Sequence, residues 1–296
     1  MSTAPPFREH VLLSRLTTIG TGGPARAYAE PGTLAELEET LVAARQRGLE
    51  VATVGLGSNA LAADAGIDRL VLRLTGDLAS ARAQGTLVVA GGGATNAVCL
   101  HRARDAGLGG FEFACAIPGT AGGGVWMNAG AYGRDWSAIL VRALVATADG
   151  TGWLTASELG FSYRHSNLEH GHVVATVEYQ LVERDPHDIR AEVKDLVARR
   201  KATQPTTKRT FGSVFKNPAG EIGAGRMLEL CGLKGYRQGG ALISPMHANF
   251  IENAGGATTA DCLVLMAEAR RRAHEAYGVE LEHEVVFLGD LALPST

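Results

Sequence analysis

The chain has 296 residues, a formal net charge of −3 at pH 7, and 38 glycines. That length calls for two or three units, and glycine at nearly twice its average usage of about 7% implies many turns and close backbone contacts. A near-neutral charge with no basic cluster beyond Arg270-Arg271-Arg272 excludes a nucleic-acid or membrane surface as the main function.

In chain order, Thr33 and Glu36 form a capping box and Gly48 a C-terminal stop, so the spacing predicts a helix over Leu34 to Arg47. A strand is expected at Val51 to Val54. Directly after it, Gly55-Leu56-Gly57-Ser58-Asn59-Ala60 fits Gly-x-Gly-x-x-Ala, with Asp77 near the spacing of a ribose-binding acid. A dinucleotide-binding unit is nevertheless rejected. The next strand, Arg69 to Leu74, follows too closely for a crossover helix. The loop can still cradle phosphate through its amides and the Ser58 hydroxyl.

Thr86 to Ala90 reads as a strand and Thr95 as the cap of a helix through Ala106. Next comes Ile117-Pro118-Gly119-Thr120-Ala121-Gly122-Gly123-Gly124-Val125-Trp126-Met127-Asn128-Ala129-Gly130-Ala131-Tyr132-Gly133. Residues without Cβ leave N–H groups uncovered, which suits a pyrophosphate or a flat ring, although a crowded series of bends is the plainer reading of glycine alone. Ile139 to Leu181 turns to strands, with an Asp149-Gly150 hairpin signal and a strong apolar run at Val173 to Leu181. Pro186 opens a helix carrying Ile189, Val193, Leu196 and Val197, which ends before Gln204-Pro205 at a polar boundary. Beyond it lie a short helix around Met227 to Cys231, a long helix over Thr259 to Tyr277, and a closing strand, Val279 to Leu288. Period-2 alternation puts Glu282 and Glu284 on one face of that strand and does not choose between them.

Cys99, Cys115, Cys231 and Cys262 show no Cys-x-x-Cys spacing, so reduced thiols are expected rather than zinc or disulfides. His170-Gly171-His172 lacks a nearby carboxylate or Cys at ligand spacing, and no metal is predicted. Met1 to His10 has no apolar core of a signal peptide, and no long apolar run exists elsewhere. A cytoplasmic monomer with no membrane partner is the expectation.

Ile117-Pro118-Gly119-Thr120, Met127-Asn128-Ala129-Gly130-Ala131-Tyr132-Gly133, Tyr163-Arg164-x-Ser166, Gly212-Ser213-x-Phe215-Lys216-Asn217-Pro218, His247-Ala248-Asn249-Phe250 and Leu281-Glu282-x-Glu284-Val285 occur in this order over nearly all of residues 12 to 289. Together they resemble the motif series of the UDP-N-acetylenolpyruvoylglucosamine reductase family. The short interval between Arg164 and Ser213 resembles the variant without an inserted tyrosine-bearing loop. Leu16 and Met246 depart from the family, which often has Asn and Lys there.

The resemblance implies an α+β fold: a two-subdomain FAD-binding half of the vanillyl-alcohol-oxidase (PCMH) type plus a C-terminal α+β substrate-binding domain. The expected segments are 1–74 joined by 284–296, then 75–203, then 204–283. It implies noncovalent FAD and NADPH as hydride donor, because the motifs supply no His or Cys for flavin attachment. The implied flavin contacts are Gly55, Leu56, Gly57, Ser58, Asn59, Ala60, Pro118, Gly119, Thr120, Gly122, Gly123, Ala129, Gly130 and Val174. Tyr132, Arg164, Lys216, Asn217, His247 and Asn249 would hold the UDP-sugar. Ser213 would give a proton to C2 of an enolpyruvyl ether, while Arg164 and Glu284 stabilise its carboxylate. Taken singly, Ser213 reads as a turn hydroxyl and Arg164 as a surface ion-pair residue. The competing function class is a non-catalytic flavin or UDP-sugar binder on the same fold.

Overall fold

The computed structural model describes residues 6–294, so the start of the Met1–His10 segment and the end of 284–296 lie outside the description. Helices form where caps and apolar spacing predict them. In α1 (Leu34–Gln46), Thr33 Oγ1 accepts from the Glu36 amide and Glu36 Oε2 from the Thr33 amide, both at 3.2 Å. A cap of this kind satisfies orphan N–H groups of the first turn and contributes about 1 kcal/mol. Thr95 caps α2 (Asn96–Asp105), and Thr120 caps α3 (Ala121–Met127), which ends on Asn128 at φ 40°. Pro186 opens α4 (Pro186–Thr203), where its missing N–H goes unneeded. After α5 (Ala224–Leu230), a Thr258–Asp261 box opens α6 (Thr259–Tyr277) and Gly278 closes it at φ 66°.

The chain forms two compact units. The first comprises Ala27–Leu56 and Arg69–Arg199 with the segment up to Glu9. Its five-stranded antiparallel sheet runs Gly150–Thr155, Leu140–Thr147, Val173–Gln180, Leu87–Gly91, Ala81–Gln84, and the expected hairpin turns one residue earlier than its signal, at Ala148-Asp149, with Gly150 opening the strand. One core gathers Val88, Ala90, Cys99, Ala103, Phe111, Phe113, Val177 and Trp136, whose indole N–H donates to Tyr179 Oη at 2.8 Å. Another gathers Leu37 and Leu41 of α1 with Leu70, Leu72, Ala146, Val173 and Ala175.

Val51–Thr53 pairs in parallel with Leu70–Leu72. No helix occupies the connection; it carries the strand Ala60–Ala62 instead, and the next strand starts at Ile67 rather than Arg69. The parallel pair therefore forms without the crossover helix of a dinucleotide-binding unit.

The second unit comprises His10–Arg26, Gly57–Asp68 and the chain from Arg200. Ile19 and Leu61 enter one core with Phe211, Phe215, Met227, Leu265, Met266, Leu281 and Val285. Their burial ties two N-terminal segments to the C-terminal third within this unit. The sheet order is Thr210–Ser213, Phe250–Asn253, Ala241–Ile243, Arg237–Gln238, with α6 against Ala241–Ile243.

The closing strand is shorter than the alternation predicts. Only Val286–Leu288 is regular strand, pairing in parallel with Ala60–Ala62. Before it, residues 279–285 pair with the Ser213–Lys216 stretch at an isolated bridge, Phe215 to His283. Regular alternation needs a continuous ladder, and here the partner stretch leaves its own strand at Ser213 and reaches Pro218 a few residues later.

Burial pushes the thiols of Cys99 and Cys262 up to about 12. Among the described residues, no group of three His, Cys, Asp or Glu is placed to hold a metal, and no helix is long and apolar enough to cross a membrane.

Candidate active site

In the first unit the two glycine-rich turns meet. A Cβ on Gly55 would lie 2.6 Å from Thr120 Oγ1. A Cβ on Gly92 would lie 1.8 Å from the Val174 carbonyl oxygen, and one on Gly122 would lie 3.3 Å from Val174 Cβ. Backbone therefore packs on backbone, which only glycine allows. The amides expected to be uncovered are in part used internally: Gly122 N–H donates to Gly92 O at 2.8 Å, Gly123 N–H to Thr120 Oγ1 at 3.4 Å and Gly124 N–H to Thr120 O at 2.8 Å. Gly122 thus serves close approach, and the first turn of α3 finds its acceptors within the protein.

Asn96, which carried no motif signal, straddles the Pro118 turn. Its amide N–H donates to Gly119 O and its Nδ2 to Ile117 O, both at 3.0 Å. The residue is 2% exposed, and among the described residues its Oδ1 has no hydrogen-bond partner. A buried acceptor in this state is costly unless a donor reaches it. FAD carries hydroxyl and imide donors, so these residues fit a flavin nucleotide.

Arg164 is fixed at φ 54°, in the left-handed region that disfavours side-chain-bearing residues. Its Nη2 donates to Gly130 O at 2.7 Å and its guanidinium lies 4.9 Å from the Tyr163 ring centroid. A Cβ on Gly130 would lie 2.5 Å from Arg134 O and 2.7 Å from Asp135 Cβ, so Gly130 allows its hairpin to close beside the arginine. Asn128 Nδ2 donates to Ser162 O at 2.9 Å, and Ser166 Oγ to Trp126 O at 2.7 Å, so both ends of the arginine turn are fastened. Ala129 lies between these anchors, its N–H on Gly124 O and its carbonyl receiving Trp136 N–H. Tyr132, also at φ 54°, donates its hydroxyl to Leu196 O of α4 at 2.9 Å.

The loop Gly55–Ala60 leaves the first unit after Leu56, and its remainder belongs to the second. Gly57 sits at φ 63°, and a Cβ there would lie 2.0 Å from Leu16 O. Asn59 Nδ2 donates to Glu284 O at 3.1 Å and Asn59 O accepts from Val286 N–H at 2.9 Å. Ser58 O would lie 3.2 Å from a Cβ on Gly212, at φ 82° beside Ser213.

Ser213 and Glu284 are joined by backbone. Ser213 stands opposite Phe250 after a bulge, and the Glu284 N–H donates to Val214 O at 2.8 Å while Lys216 N–H donates to Glu282 O at 2.9 Å. The structure separates the two glutamates that alternation left equivalent. Glu282 Oε2 lies 3.1 Å from Lys216 Nζ and its side chain is 76% exposed, whereas Glu284 is half-buried. Such an exposed pair contributes about 0–1 kcal/mol, so an incoming anion can displace it.

Three residues expected at the sugar have structural contacts. Asn217 Oδ1 accepts from the Ala224 N–H at 3.0 Å, at the start of α5. Asn249 is 4% exposed; its Oδ1 accepts from Phe215 N–H at 2.9 Å and its Nδ2 donates to Phe215 O at 2.8 Å. His247 Nδ1 accepts from the Asn249 N–H at 3.2 Å, and its ring fills the space a Cβ on Gly225 would need.

Burial, and then the Lys234 cation, hold the His247 pKa below its ordinary value. A depressed folded value means that the unfolded chain binds the proton more tightly, so this contribution is present above pH ~6.5 and lost as pH falls through the folded pKa. The thermal midpoint should fall as pH drops below about 6.5, and His247→Asn, which keeps an acceptor but does not titrate, should remove that part of the dependence.

Two family models match the chain: an FAD binding domain over residues 25–155, and the C-terminal domain of UDP-N-acetylenolpyruvoylglucosamine reductase over residues 204–288. The UDP-N-acetylenolpyruvoylglucosamine reductase of Anaeromyxobacter dehalogenans (strain 2CP-C) is 43% identical over 278 residues, covering 94% of this chain and 84% of that protein. The reductase of Bacillus licheniformis is 40% identical over 285 residues, 95% and 94% of the two chains. The crystal structure of the corresponding reductase from Thermus caldophilus superposes with a TM-score of 0.83 at 35% identity, covering 96% of this chain and 100% of that one. The expected α+β architecture with a PCMH-type flavin domain stands, and FAD is its cofactor. The chain belongs to the UDP-N-acetylenolpyruvoylglucosamine reductase family and is an FAD-binding oxidoreductase.

Proposed function

We propose that the protein reduces the enolpyruvyl ether of UDP-N-acetylglucosamine to UDP-N-acetylmuramate with NADPH, a step of peptidoglycan precursor synthesis. The observation that carries the assignment of roles is the backbone ladder that sets Ser213 and Glu284 on adjoining stretches. FAD, held noncovalently, supplies hydride transfer when bound, two electrons and one hydrogen drawn from NADPH and delivered to C3 of the enolpyruvyl group. Ser213 holds the proton for C2. Hydride and proton together saturate the double bond to a lactyl ether.

Charge that develops on the carboxylate in this reaction needs a cation and hydrogen-bond donors. Arg164 supplies a permanently charged fork, and Glu284 stabilises the intermediate or serves as a second acid. Lys216, drawn from Glu282, answers the diphosphate as a point charge, with Asn217 and Tyr132 beside the UDP-sugar.

Anaerobic mixing tests the proposal. NADPH should bleach the flavin of the purified holoprotein, and the enolpyruvyl substrate should then restore its absorbance with formation of UDP-N-acetylmuramate. Reduced flavin that ignores the substrate would leave only a flavin-binding role.

A further inference from the structure

We infer that Asn249 is a positioning residue for proton delivery, holding the Ser213–Lys216 stretch in register through the backbone of Phe215. The inference rests on the reading of Ser213 as the acid. Both functional ends of the Asn249 amide close on one peptide neighbour, Oδ1 on Phe215 N–H at 2.9 Å and Nδ2 on Phe215 O at 2.8 Å, while Asn249 O takes the Val214 N–H at 2.9 Å. These contacts hold the chain just beyond Ser213–Phe250, the last pair of a ladder that carries a bulge between Thr210 and Ser213. Phe215 is 2% exposed, so water does not substitute for the amide. On its other side the same stretch binds the Glu284 and Glu282 backbone. A shift of Phe215 would therefore move Ser213 and the glutamates together. Asn249 reaches Ser213 only through the backbone, which makes its role geometric.

Asn249→Ala leaves two buried backbone groups unpaired, and loss of the fold would be its trivial result. Asn249→Asp is the decisive variant. A neutral carboxyl presents an acceptor and an O–H donor at the same reach, as the amide does, whereas a carboxylate has only acceptors and faces the Phe215 carbonyl. Burial favours the neutral form, so the variant should recover as pH falls.

The FAD-loaded Asn249→Asp protein should be reduced by NADPH at the wild-type rate. Its reoxidation by the enolpyruvyl substrate should be slower than wild type by roughly 10²-fold at high pH, the scale of a misplacement of about 1 Å. The deficit should close as pH is lowered. His247, at the Asn249 amide, and Lys216, Glu282, His283 and Glu284 on the adjoining stretches are the same in both proteins, so the wild-type profile is the control. Equal slowing of both half-reactions, loss of FAD, or wild-type reoxidation at every pH would overturn the positioning role. Wild-type protein that fails to reoxidise on the same substrate would instead overturn the proposed function.

Discussion

Ser213→Ala should leave reduction of the flavin by NADPH nearly unchanged and slow its reoxidation by the enolpyruvyl substrate by about 10²–10⁴-fold, the usual loss of a positioned acid. That range corresponds to about 2.7–5.5 kcal/mol of barrier. The two halves separate because only the second needs a proton at C2. An ordinary serine hydroxyl is a weak acid, so its effect depends on place: Gly212 at φ 82° turns the chain, its N–H is held by Thr210 Oγ1 at 2.9 Å, and Ser213 then stands opposite Phe250. Ser213→Cys keeps a donor of lower pKa and should recover part of the rate. A turn hydroxyl without chemistry predicts a loss of roughly 0.5–3 kcal/mol of stability shared by both halves. Rapid-mixing absorbance of the flavin decides between them, and equal slowing of both halves would pass the role of acid to Glu284.

Arg164→Lys should lower the rate of the same reoxidation by about 10²–10³-fold, although the charge is retained. Lysine offers a compact ammonium in place of a planar fork, and a carboxylate gathering charge is matched by the fork. The arginine's position is built in at a cost: φ 54° is unfavourable by about 1–2 kcal/mol, offset by its bond to Gly130 O and by the Asn128 and Ser166 contacts that fasten its turn. A guanidinium carries five N–H donors in a planar fork, one of them on Gly130 O. Lysine cannot hold that carbonyl and a carboxylate in the same geometry. Stopped-flow comparison of the two half-reactions measures the effect; an Arg164→Lys enzyme within about twofold of wild type would make Arg164 a structural residue.

Local chemistry made much of the fold legible. Thr33 with Glu36 caps its helix as the spacing predicts, and α6 runs over Thr259–Tyr277 as expected, because caps and apolar periodicity act within a few residues. The Asp149-Gly150 hairpin is local for the same reason. The ordered motifs sufficed to identify the family, since a series in fixed order is far more specific than any one of its members.

What tertiary structure decided are the pairings between distant residues. Whether the Gly122 amide faces a ligand depends on Gly92, and the parallel strand at Val51 depends on Leu70. Glu282 and Glu284 are equivalent under period 2; they differ because the Glu282 carboxylate is exposed beside Lys216 while Glu284 is half-buried. Asn249 looks like a ligand residue in its motif, and only the fold brings Phe215 within reach of both ends of its amide. Sequence determines which groups can bond within a turn or two; burial and long-range register determine which of them remain available for chemistry.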